Sequence, residues 1–94
     1  MLFRSLARTE RLFCAVQTVT HGGETNLHSH THLDGFWFVL KGRARFFAGR
    51  TEVLAEIGPH EGVLVPRGVQ YWFESIGEEP LQILQVEASD IPMK

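Results

Sequence analysis

The sequence predicts a single all-β domain, on three observations. Turn-forming glycines and prolines recur at short intervals between residues 22 and 80, and the segments between them are rich in β-branched and aromatic residues. No stretch carries a sustained helical apolar stripe with caps at both ends. The 94 residues have the length of one domain, taken as residues 1–94, without a linker or an internal repeat.

Seven segments have the composition of strands. The first, residues 12–19, is rich in Phe, Val and Thr, and residues 36–40 form a continuous apolar run that is too short for a helix. Residues 43–47 begin with alternating charged and apolar side chains. The other four are residues 51–54, 62–65, 70–74 and 81–87. Residues 5–11 fit a short helical turn, a strand or a loop equally well. On periodicity alone, an up-and-down barrel and a jelly roll are equally compatible with this strand count.

Composition argues against several classes of protein. Nine basic and eleven acidic residues give a net charge of −2, which does not favour a nucleic-acid partner. No apolar run approaches the roughly 20 residues of a membrane span, and residues 1–13 do not have the pattern of a secretory signal. The single cysteine allows no internal disulfide. We therefore expect a cytoplasmic protein without a membrane partner.

Histidines are concentrated in one segment, where four of the five lie within residues 21–32. Alternate residues of an extended chain project to the same side, so His28 and His30 point the same way. His32 joins them if the strand continues that far. Neutral imidazoles are common ligands of transition metals, which makes this segment a candidate metal site. The alternative is a polar strand end in a solvated loop.

The wider context of these histidines resembles a known motif. Residues 23–42 contain a glycine, the pair His28-Ser29-His30, and a hairpin-closing Gly42, in the order of the first motif of the cupin superfamily. Residues 61–75, with the turn Val65-Pro66-Arg67-Gly68, resemble the second cupin motif. The resemblance implies a single cupin-type jelly-roll β-barrel.

Two metal-ligand positions depart from the cupin pattern. The glutamate of the first motif falls on Gly35, and the histidine of the second motif becomes Tyr71. Only His28 and His30 therefore match residue for residue. The resemblance leaves Tyr71, His32 or Asp34 as a substitute ligand, and Asp34 is the only carboxylate close to Gly35 in the sequence.

Three outcomes follow for the site. A divalent transition metal (Zn, Fe, Ni, Cu or Mn) is held by His28, His30 and a substitute ligand. Alternatively, the histidines bind an organic ligand or an anion without a metal, or the domain is an inert structural unit.

We expect a small cupin with a histidine-lined pocket for a metal, a small-molecule ligand or both. The alternative is a metal-dependent enzyme of the dioxygenase, isomerase or hydrolase type that acts on a small organic substrate.

Strand parity predicts the walls of the pocket. If positions 35 and 71 face inward, Trp37 and Phe73 do so as well, either lining a cavity or filling a packed core. The parity of the same strands turns other apolar side chains outward: Phe36, Phe38, Leu40 and Trp72. An apolar surface of that size on so small a domain favours a homodimer.

Overall fold

The structure, a computed structural model, describes residues 2–20, 27 and 29–93, and its regular structure consists of strands alone. The described residues contain eight strands: β1 (Leu2–Arg8), β2 (Leu12–Val19), β3 (Leu33–Lys41), β4 (Arg43–Ala48), β5 (Glu52–Ile57), β6 (Gly62–Val65), β7 (Tyr71–Ile76) and β8 (Leu81–Ser89). The all-β prediction is confirmed. β2 and β6 have the predicted bounds, and the segment left open at residues 5–11 contributes its first half to β1.

The strands form two antiparallel sheets. The five-stranded sheet has the order β1-β2-β8-β3-β6 and the three-stranded sheet the order β5-β4-β7. β8 lies between β2 and β3, so the end of the chain pairs with its beginning. An up-and-down barrel would pair sequence neighbours throughout, whereas this order is the jelly-roll arrangement that the cupin resemblance implied.

The core lies between the two sheets and includes both aromatic side chains that parity predicted to face inward, Trp37 and Phe73. Trp37 of β3 packs against Phe73 of β7 with ring centroids 4.9 Å apart, and Phe73 stacks on Phe46 of β4 at the same distance. Val39 and Ile83 are completely buried beside them. Alternation within β3, β7 and β8 therefore sends one set of side chains inward, as parity requires.

The opposite set of side chains covers the outside. Phe36 and Leu40 are each about two-fifths exposed on the outer face of β3. Trp72 stacks on Phe47 with centroids 4.0 Å apart, and its indole N–H donates to the carbonyl of Arg50. In the part of the chain that the structure describes, no helix has the length and apolar character needed to cross a membrane.

Candidate functional site

His30 reaches the interior from the loop that precedes β3. The carbonyl of His30 accepts a 2.7 Å hydrogen bond from the backbone N–H of Gly68. Gly68 has a φ of +82°, a conformation that favours glycine, so the Pro-Arg-Gly turn of the second motif requires this residue. The two cupin-like motifs thus meet through the backbone, and this bond holds the backbone of His30 against the turn.

Three atoms with lone pairs lie close together here: Nε2 of His30, the hydroxyl oxygen of Tyr71 and Oε2 of Glu87. Nε2 of His30 lies 3.3 Å from the hydroxyl oxygen of Tyr71 on β7 and 3.3 Å from Oε2 of Glu87 on β8. The donors therefore come from a loop and from both sheets. Nε2 carries at most one hydrogen, so it cannot make a full hydrogen bond as donor to both oxygens at once.

Glu87 is the member of this group that sequence reasoning missed. Its residue is 8% exposed, although glutamates are seldom buried without a partner. β8 pairs with β3 so that Glu87 lies opposite Gly35, the position at which the cupin pattern has its glutamate. Ile83 and Gln85 both face inward on β8, and the same alternation places position 87 inward. Strand parity is therefore the signal that could have identified Glu87.

Tyr71 is present as a neutral phenol at neutral pH. Burial raises the pKa of its hydroxyl well above the usual value near 10, and the negative charge of Glu87 raises it further. The indole N–H of Trp37 lowers the pKa of Tyr71, but by less than burial and Glu87 raise it. A phenolate would therefore require a positive charge close to the hydroxyl.

The other two candidates for the substitute ligand, His32 and Asp34, form ion pairs away from the His30 ring. They belong to a group of four charged or titratable residues that we call the rim network: His32, Asp34, Arg67 and Asp90. His32 precedes the start of β3, and its Nδ1 lies 3.2 Å from Oδ1 of Asp90. Arg67 links Asp34 to Asp90. Its backbone N–H donates to Oδ1 of Asp34 at 3.0 Å, and its guanidinium contacts Oδ2 of Asp90. The structure thus brings Tyr71, and not His32 or Asp34, to His30.

His28 lies outside the described residues. Among the residues that are described, no three histidine, cysteine or carboxylate side chains meet in one place. The converging set therefore consists of one imidazole, one carboxylate and one phenol.

Deeper between the sheets, polar side chains continue the site. Gln17 of β2 and Gln85 of β8 are 7% and 8% exposed, and Nε2 of Gln17 donates to Oε1 of Gln85 at 2.8 Å. Trp37 lies opposite Gln85 in the β3–β8 ladder. In the described part of the chain, neither Oε1 of Gln17 nor Nε1 of Trp37 has a hydrogen-bond partner.

Comparison with known proteins identifies the family. The sequence model of the Cupin domain family, Cupin_2, matches residues 15–87, which is more than half of the chain. The chain therefore belongs to the cupin family. No curated protein is significantly similar to it.

Solved structures show the same fold. The cupin domain of Cnp3 from Schizosaccharomyces pombe is similar with a TM-score of 0.86 at 24% identity, over 94% of this chain and 64% of that one. BH2720 from Bacillus halodurans has a TM-score of 0.86 at 25% identity, over 98% of this chain and 71% of that one. TT1209 from Thermus thermophilus has a TM-score of 0.84 at 21% identity, over 95% and 83% respectively. The chain thus spans less than two thirds of the Cnp3 domain.

Proposed function

We propose that this cupin domain binds one divalent transition metal ion and a small-molecule ligand beside it. The metal donors are His30, Glu87 and Tyr71, with His28 supplying a second imidazole. The observation that carries the proposal is the convergence of Nε2, Oε2 and the phenol oxygen, with two separations of 3.3 Å. Ligands about 2.0–2.1 Å from a tetrahedral ion are separated by about 3.3–3.4 Å, so this spacing suits one shared ion.

The donor set also suits a metal chemically. A cation accepts lone pairs from the imidazole and from both oxygens, which removes the competition of two oxygens for one N–H. Imidazole with oxygen co-ligands fits Zn, Fe, Ni, Cu or Mn. A bound ion would supply Lewis acidity, polarising a ligand oxygen or a water molecule. The residues of the chain would hold the ion and orient the ligand against it.

Glu87 supplies the negative charge that Gly35 lacks. Because the two residues are directly paired, the carboxylate enters from the neighbouring strand into the region where a glutamate at position 35 would project. A metal bound with one carboxylate and neutral imidazoles retains a net positive charge, which favours an anionic ligand such as a carboxylate.

Metal titration of a set of single variants tests these assignments. Zn²⁺ affinity is expected to fall at least about a hundredfold in Glu87→Gln and in His28→Ala, because each loses a direct ligand. Tyr71→Phe keeps the ring and is expected to lose about tenfold or more. His32→Ala and Asp34→Asn are the controls, because they disturb only the rim network, and should lose no more than about tenfold. Unchanged affinity in Glu87→Gln, or a loss of about a hundredfold in His32→Ala, would contradict the proposed donor set.

We also propose that two copies of the chain associate through β1 and the adjoining outer face of the five-stranded sheet. Every residue of β1 is exposed, including Leu2 at 74% and Phe3 and Leu6 at 53% each. β1 is the outermost strand of its sheet, and a long apolar edge strand is a template for pairing with another chain. A second copy fits this role because it presents the same strand and the same apolar groove between β1 and Leu40.

Sedimentation at several concentrations tests the association. The wild type is expected to sediment as a dimer, and Leu6→Lys as a monomer with the same circular dichroism spectrum. A wild-type monomer at about 100 μM, well above the dissociation constant of a stable dimer, would contradict this association.

A further inference from the structure

We propose that Gly35, Trp37, Gln17 and Gln85 form a subsite for the hydroxyl group of a small hydroxy acid. We call these four residues the hydroxyl subsite. The proposal rests on the proposed function, because the carboxylate of the same ligand is assigned to the metal. It adds the chemical class of the ligand and the residues that select it.

The first argument is that the subsite contains buried polar atoms without partners. Trp37 is 2% exposed, and its Nε1–H faces the Tyr71 hydroxyl, whose pKa it lowers, but makes no hydrogen bond of good geometry to any residue that the structure describes. Oε1 of Gln17 has no donor within the same residues, although Nε2 of that side chain is bonded to Gln85. Each buried polar group left unpaired costs about 1–3 kcal/mol. Apolar side chains at both positions 17 and 85 would avoid this cost, so the amide pair is better explained by a ligand than by packing.

The second argument is the position of these atoms relative to the metal donors. In the β3–β8 ladder, Gly35 lies opposite Glu87 and Trp37 lies opposite Gln85. Two residues of a strand span about 7 Å, so the subsite begins one inward step from the Glu87 carboxylate. A ligand of a few carbon atoms can extend over that distance.

The third argument is the room that Gly35 leaves. A Cβ on Gly35 would lie 3.6 Å from Nε1 of Trp37 and 3.9 Å from the carbonyl oxygen of Val65, both ordinary contact distances. The absence of a side chain at this position is therefore not imposed by close packing. A ligand atom placed there would be within reach of the indole N–H.

The chemistry of the unpaired atoms selects the group. An indole N–H only donates, and an amide carbonyl oxygen only accepts. A hydroxyl is the smallest group that accepts from the first and donates to the second. A carboxylate at the other end of the ligand complements the net positive charge of the metal with its donors. These requirements together describe a short hydroxy acid.

The two tryptophans allow a direct experiment with an internal control. In protein labelled with ¹⁵N at the indole nitrogens, Trp37 and Trp72 each give one N–H signal, assigned with Trp72→Phe. Trp72 donates to the carbonyl of Arg50 on the outside, so its signal should not respond to an interior ligand. Probes are propionate and butyrate, each compared with its 2-, 3- and 4-hydroxy derivatives where these exist, added to Zn²⁺-loaded and to metal-free protein.

We expect at least one hydroxy acid to shift the Trp37 signal and to bind at least about tenfold more tightly than its parent acid, while the Trp72 signal stays fixed. Gln17→Met should remove this preference and leave Zn²⁺ affinity unchanged. Ser75→Ala is the matched control, because Oγ of Ser75 is also buried without a partner in the described residues but lies on β7. It should keep the preference.

Equal binding of hydroxy and parent acids to the Zn²⁺-loaded protein would overturn the subsite while leaving the metal site intact. So would an unchanged preference in Gln17→Met. If the protein takes up no Zn²⁺, the proposed function fails and the subsite is judged on the metal-free spectra. A Trp37 shift caused by hydroxy acids alone then supports it, and no shift overturns it.

Discussion

The two ends of the space between the sheets are built from the same strands and have opposite characters. At one end β7 contributes Phe73 and β8 contributes Ile83, both completely buried among apolar side chains. At the other end the same two strands contribute Tyr71 and Glu87, which meet the His30 ring. The comparison shows that a single strand can contribute apolar side chains to the core with one part and bring polar, titratable groups together with another. Departures from good packing are expected where function requires them.

The largest effect is expected at the apolar end. Phe73→Ala removes a buried ring that contacts Trp37 and Phe46, and should lower the free energy of unfolding by about 3–5 kcal/mol. Tyr71→Phe, two residues earlier, should change the free energy of unfolding by less than about 1.5 kcal/mol in metal-free protein. Urea unfolding of both variants measures the difference. Equal losses would show that the two ends are not distinct.

A smaller effect is expected at the rim network, which holds the loop carrying His30. Arg67→Gln removes the guanidinium that links Asp34 to Asp90 and should weaken Zn²⁺ binding by about tenfold, because the loop loses an anchor. Arg45→Gln is the matched control. Arg45 likewise bridges two carboxylates, Glu56 and Glu74, but on the three-stranded sheet.

Both arginine variants should melt within about 4 °C of the wild type, since partly exposed ion pairs stabilise weakly. A Zn²⁺ affinity that falls equally in Arg67→Gln and Arg45→Gln, or in neither, would show that the rim does not position the site. Amide exchange at Gly68, which donates to the carbonyl of His30, gives a readout without metal and should be faster only in Arg67→Gln.

The smallest effect concerns alkaline pH. Burial raises the pKa of Tyr71, so in metal-free protein the native state keeps its proton when the unfolded state begins to lose it near pH 10. The contribution to stability is present below pH 10 and is lost as pH rises towards the pKa of the folded state. Comparing urea unfolding at pH 9 and pH 10.5, the wild type should lose more stability than Tyr71→Phe. An identical loss in both proteins would contradict this assignment.

The sequence was sufficient for most of the fold because alternation and turns are local signals. The bounds of β2 and β6 agree to the residue, and the inward positions of Trp37 and Phe73 follow from parity alone. The sequence does not predict β1, and only residues 5–8 of it lie in the segment that fits a helical turn, a strand or a loop. The reason is physical: all residues of β1 are exposed, so no burial pattern distinguishes a strand from a loop. Its structure depends on pairing with β2 rather than on its own composition.

The candidate site was less predictable, because one donor arrives by long-range pairing. Gly35 and Tyr71 could be placed by motif, and the sequence then offered Asp34 as the nearest carboxylate. The structure pairs Asp34 with Arg67 and brings Glu87 to His30 instead, from 57 positions further along the chain. A glutamate near the end of a predicted strand normally faces solvent. Only the β3–β8 register places it opposite Gly35.

Elemental analysis of the protein purified without an affinity tag tests the metal site most directly. Wild-type protein, reconstituted with a mixture of divalent transition metals and desalted, is expected to retain about one ion per chain, as a site with several protein ligands does. Glu87→Gln treated in parallel is expected to retain much less. Wild-type protein without bound metal, or Glu87→Gln with the same content as the wild type, would contradict the central claim that the buried carboxylate of β8 completes a metal site.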